Sequence, residues 1–70
     1  MIEHESEQTM SREAAAERLR QIADQLSRHN EIALDLDGLK TSVKVPDEVT
    51  LSVEVEIGDE GNEIEIEISW

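Results

Sequence analysis

The sequence predicts an α+β domain: one amphipathic helix packed on one face of a four-stranded antiparallel meander sheet. Two observations carry that expectation. Apolar residues between Ser11 and Asn30 recur every three to four positions, and beyond Asn30 the period falls to two and stays there to Trp70. Three turn signals, Asp37-Gly38, Pro46-Asp47-Glu48 and Gly58-Asp59-Glu60-Gly61, cut the alternating region into four strands.

The helix is expected at about residues 12–29. Ser11 supplies an N-cap hydroxyl, Glu13 sits in the first turn, and Arg28 and His29 lie near the end, where their charge suits the helix dipole. Ala15, Leu19, Ile22, Ala23 and Leu26 form a one-sided apolar stripe. Glu17–Arg20, Arg20–Asp24 and Asp24–Arg28 are helical neighbours on the outward side. Asn30, tolerant of the left-handed conformation, is the expected stop.

In the strands that follow, Ile32, Leu34 and Leu36 alternate with polar or small residues, then Leu39, Thr41, Val43 and Val45. Val49, Leu51, Val53, Val55 and Ile57 form the third apolar row, and Ile64, Ile66, Ile68 and Trp70 the fourth. Residues opposite one another across a hairpin must share a face, so parity fixes the register. Leu36 meets Leu39 and Ile32 meets Val43; Val45 meets Val49 and Val43 meets Leu51; Val55 meets Ile64 and Val49 meets Trp70. On the other face Lys44 falls opposite Glu31 and Lys40 between Asp35 and Glu54. Glu54 faces Glu65 and Glu56 faces Glu63, like-charge pairs with no cation between them. Residues 1–10 read either as a fifth, N-terminal edge strand, with Glu3, Glu5 and Glu7 outward against Ile2, His4 and Ser6, or as a frayed tail.

Composition bounds the rest. Seventy residues make one domain, 1–70, near the lower limit for a self-sustaining core. With no Cys and Trp70 the sole aromatic residue, the core is aliphatic, and a partner surface is a common remedy at this size. Eighteen acidic residues against six basic ones give a formal net charge of −12. All four arginines fall within residues 11–30 beside three acids, which leaves that segment at +1 and the remainder at −13. Such self-repulsion destabilises a compact state in dilute buffer, and in ~1 M salt a Debye length of about 3 Å screens most of it. A surface suited to molar salt is therefore expected, and binding to a nucleic-acid backbone is disfavoured. No apolar run approaches a membrane span, and the first residues lack the basic and apolar regions of a signal peptide, so a cytoplasmic setting is expected.

No catalytic, metal or nucleotide motif stands out, and no cofactor is implied. His4 and His29 have no metal-ligand spacing, and the three glycines fit turns rather than a phosphate loop. Glu54, Glu56, Glu63, Glu65 and Glu67 gather on one face. They read as a solvated acidic surface, with a small-ligand or divalent-cation site as the alternative, since oxygen-rich sites suit Mg²⁺ and Ca²⁺. Trp70 reads as a lid on an aliphatic core or as an anchor for a partner.

Ser11-Arg12-Glu13-Ala14-Ala15, Val45-Pro46-Asp47-Glu48-Val49 and the run Asn62-Glu63-Ile64-Glu65-Ile66-Glu67-Ile68-Ser69-Trp70 resemble the amphi-Trp domain family of short prokaryotic proteins, many of them from haloarchaea. The resemblance extends from about Ser6 onward, and the amphipathic strand ending in Trp is its most specific part. It implies this fold and a halophilic setting, and it brings no activity and no catalytic residues. The expected function is that of a non-catalytic interaction domain, acting as a homo-oligomer (a dimer) or on an unidentified protein.

Overall fold

A computed structural model describes residues 3–70. It has one helix, α1 (Arg12–Arg28), and four strands: β1 (Glu31–Leu36), β2 (Leu39–Lys44), β3 (Thr50–Gly58) and β4 (Gly61–Ser69). The fold is α+β, as the change of period implies. The molecule is elongated, 39 × 27 × 27 Å.

α1 starts where the cap signal lies. Ser11 keeps an extended backbone, and its Oγ accepts the Ala14 N–H at 3.1 Å, satisfying one of the free donors of the first turn. The end differs from expectation. His29, not a left-handed Asn30, closes the helix in an extended conformation, its N–H bonded to the Gln25 carbonyl at 2.9 Å. Asn30 is then free to accept the Val45 N–H at 2.7 Å, a bond that ties the helix exit to the end of β2. Of the three expected ion pairs only Arg20–Glu17 forms, at 3.6 Å and largely in solvent, where it contributes little.

β1 and β2 form the expected hairpin, with Leu36 opposite Leu39 and Ile32 opposite Val43. Asp37 and Gly38 both take positive φ, 55° and 86°, the requirement of the two-residue turn whose twist matches the strands. The Asp35 carboxylate braces it by accepting the Gly38 N–H at 2.9 Å. β3 and β4 form a second hairpin across Asp59-Glu60, with Val55 opposite Ile64 and Gly58 opposite Gly61.

The sheet is not the single meander expected. β1–β2 and β3–β4 are separate two-stranded sheets, and Val43–Leu51 and Val45–Val49 are not paired. The connection explains this. A three-residue hairpin loop at Pro46–Glu48 wants a left-handed residue, usually Gly, and none of the three has positive φ. Pro46 also has no N–H to give to a ladder. The last expected register pair, Val49–Trp70, lies one step beyond the end of the β3–β4 ladder at Thr50–Ser69.

The core sits between α1 and the first hairpin. Ile32 is buried, with only 4 % of its surface exposed, and Ile22, Leu26, Leu34, Leu36, Val43 and Val45 are half-buried. Leu19 and Ala23, expected in the helix stripe, stay exposed, because α1 packs on β1 and the second hairpin does not close over its flank. Gln25, absent from the expected stripe, is half-buried in their place. Its side-chain amide donates to the Ala33 carbonyl at 3.0 Å and accepts the Ala33 N–H at 2.8 Å, as a neighbouring strand would.

Residues 3–10 carry no regular secondary structure. The first inward position of the expected edge strand, Ile2, lies outside the described residues. Ser6 within this segment is half-buried and donates its hydroxyl to Asp37 Oδ1 at 3.2 Å, which lays the segment beside the first hairpin turn.

Candidate interaction surface

Strict alternation over nine residues in each strand sorts the second hairpin into two unlike faces. Leu51–Ile68, Val53–Ile66 and Val55–Ile64 are cross-strand pairs on one of them, extended by Ile57 toward the turn and by Trp70 at the other end. Ser52–Glu67, Glu54–Glu65 and Glu56–Glu63 occupy the other. β-branched residues dominate the apolar side, and their stiff side chains suit a pleated surface.

Among the described residues nothing covers the apolar face. Leu51, Val53, Val55, Ile57, Ile64 and Ile66 are 49–82 % exposed, and only Ile68 is half-buried. Trp70 is 60 % exposed, so it does not close a core within the chain. Toward α1 the hairpin leaves a groove of about 580 Å³ between Ile64 and Met10, Leu19 and Ile22. A second shallow opening of about 510 Å³ lies along Val55, Ile57 and Ile64 near the hairpin turn. The unfilled space and the exposed stripe are two aspects of one feature: an aliphatic sheet face facing open solvent.

The five acidic residues singled out in the sequence do share the opposite face, with the like-charge register anticipated for them. Glu63, two positions along the strand, and Glu54, directly across it, raise the Glu65 carboxyl above its ordinary value of 4.5. A hydrogen bond from the protonated Glu65 carboxyl to the Glu63 carboxylate acts in the same direction, as does the more distant Glu67. The face is flat and open, and among the described residues no three His, Cys, Asp or Glu side chains are placed to hold a metal ion. Lys40 and Lys44 take their expected places opposite Asp35 and Glu31. Without β2–β3 pairing, Lys40 is not brought beside Glu54. Glu31 instead accepts the Ser42 hydroxyl at 2.7 Å.

Sequence reasoning missed Gln25. Its neighbours Ile22, Leu26 and Ala33 point to a helix–strand contact, but a polar residue between two stripe positions gives no sign that it will serve β1 as a hydrogen-bonding edge.

A helix on one hairpin, joined to a second hairpin with an aliphatic face, an acidic face and a terminal Trp, defines a small amphipathic α+β domain. The model of the amphi-Trp domain family matches residues 1–70, and the chain belongs to that family. Comparison with curated proteins and with solved structures gives no match. Among the described residues no helix is long and apolar enough to cross a membrane.

Proposed function

We propose that this protein is a non-catalytic interaction domain whose binding surface is the apolar face of β3–β4, with Trp70 as its anchor. The observation that supports this most directly is the continuous exposure of Leu51, Val53, Val55, Ile57, Ile64 and Ile66 on one side of a regular hairpin. Monomeric proteins seldom leave apolar patches of this extent in water, and Trp is a frequent hot-spot residue. The acidic row on the reverse side acts as a solvated face that keeps association confined to the apolar one.

Capture of binding proteins in molar KCl, with Ile66→Glu and Trp70→Ala as controls, tests the reading. Partner or self recovery with the wild type and loss with both variants is the expected result. Equal recovery with all three would place the contact elsewhere and overturn it.

The same reading sets the domain in a salt-rich cytoplasm. A net charge of −12 on 70 residues, with Glu54–Glu65 and Glu56–Glu63 left unrelieved, favours a medium that screens within about 3 Å rather than about 10 Å. Helix and strand circular-dichroism signals are expected to fall as KCl is diluted from about 1 M to about 0.1 M, the two concentrations that set those lengths. A fully folded protein in dilute buffer would remove the salt argument.

A further inference from the structure

We infer that the partner of the β3–β4 face is the same face of a second copy, the two hairpins stacking about a twofold axis into a two-layer β-sandwich with both acidic faces outermost. This rests on the interaction-domain reading above and adds the identity and geometry of the partner.

Area is the first argument. At 49–82 % exposure, the six aliphatic side chains and Trp70 present roughly 800 Å² in all, the share one partner contributes to a standard stable interface. Among the described residues the chain leaves that face uncovered. α1 has 17 residues, so it is about 25 Å long and about 10 Å across. It already lies on β1, and four strands side by side span about 19 Å. With α1 lying on β1, the two strands of the second hairpin are left bare.

The chemistry of the face is the second argument. Its strand side chains carry no charge, and its polar groups lie at the two ends, Asn62 opposite Ile57 and the indole N–H of Trp70. A surface with no donor or acceptor in its middle has no means of selecting a partner by sequence. A flat aliphatic face is complementary to its own copy, and a twofold contact uses the same patch twice.

Charge then chooses between the two ways of joining hairpins. Edge-to-edge pairing of β3 with β3, or β4 with β4, would set Glu54 and Glu56, or Glu63, Glu65 and Glu67, directly against carboxylates of the second copy. Face-to-face stacking puts a sheet spacing of about 10 Å plus two layers of side chains between the acidic rows, well beyond the Debye length in molar salt.

Sedimentation in about 1 M KCl, combined with Trp70 emission and disulfide trapping, tests the inference; the chain has no Cys, so single-Cys variants report one position each. The wild type is expected at twice the 7.9 kDa chain mass, with blue-shifted Trp70 emission. Val55→Glu is expected to weaken the dimer by roughly a hundredfold or more, since it buries an unpaired carboxylate. Val53→Cys is expected to cross-link on oxidation and Ser52→Cys, on the acidic face, to remain single. If Val55→Glu does not fold, Ile57→Glu serves instead, at a site 82 % exposed near the hairpin turn. A wild-type monomer with solvent-exposed Trp70 emission would overturn the self-association and leave the interaction surface standing for another protein. A monomer with blue-shifted emission would mean that the chain covers its own face, and both readings would fall. Cross-linking through Ser52→Cys, a dimer insensitive to the Glu variants, or open-ended polymers would each overturn the stacked geometry.

Discussion

The two hairpins of this domain are built by the same local rules and end in opposite states. In β1–β2, α1 lies over the inward row, Ile32 is buried, and the outer edge of β1 is occupied by Gln25. In β3–β4 the ladder is longer and as regular, yet no residue is buried and both faces are open. Alternation and turn chemistry determine strand pairing, because they act between neighbours. Burial depends on what is available to cover a face, and this chain has one helix for two hairpins.

Substitutions of matched chemistry in the two halves expose that difference most strongly. Ile32→Ala is expected to cost about 2–5 kcal/mol in denaturant melts, because it opens a cavity at the one buried hydrophobic residue among the described residues. Val53→Ala, measured at concentrations below self-association, is expected to cost less than about 1 kcal/mol, as for other surface changes. A cost at Val53 that grows with protein concentration would show that the second face acquires its cover by association. An equally large cost at both sites in a monomer would break the comparison.

A smaller effect is expected at Gln25. Gln25→Ala removes both bonds to Ala33 and is expected to destabilise by about 1–2 kcal/mol, with hydrogen exchange at Ala33 accelerating before that of β3 or β4. Exchange that quickens uniformly would mean that the halves unfold as one unit.

The smallest effect belongs to the acidic face. Because Glu63 and Glu54 raise the Glu65 carboxyl in the folded chain, the folded state binds that proton more readily than the unfolded one. The repulsion is fully present above the raised folded value, is relieved as pH falls from there to the ordinary 4.5, and is gone below it. In dilute salt, this residue therefore contributes an increase in stability as pH is lowered from neutrality through that window. Glu65→Gln is expected to raise the melting temperature slightly at neutral pH and to flatten this part of the pH profile. Molar KCl is expected to diminish both effects.

Much of this was legible in the chain. Ser11, the Asp37-Gly38 turn, the even-length turn between Gly58 and Gly61, and the parity of the apolar rows gave the helix start and both hairpin registers, since each is fixed within a few residues. The split between β2 and β3 was not. Parity is blind to whether two strands meet, and the loop at Pro46–Glu48 lacks the left-handed residue that would have closed it. The helix stripe was misjudged at Leu19 and Ala23 for a related reason: periodicity names a face, and only packing decides how wide a strip of it is used. The acidic cluster and Trp70 were visible as residues, whereas their exposure followed from the uncovered hairpin.

The Gln25 amide has a consequence for growth. A β-sheet lengthens sideways by recruiting strands, and its two borders are ordinarily equivalent invitations to do so. At β1 a side chain already occupies both backbone groups of Ala33, so that border cannot template another chain without breaking two bonds. The first sheet is left able to extend in one direction alone, a one-sided terminator that opposes fibril formation in a sequence otherwise rich in alternating aliphatic strands.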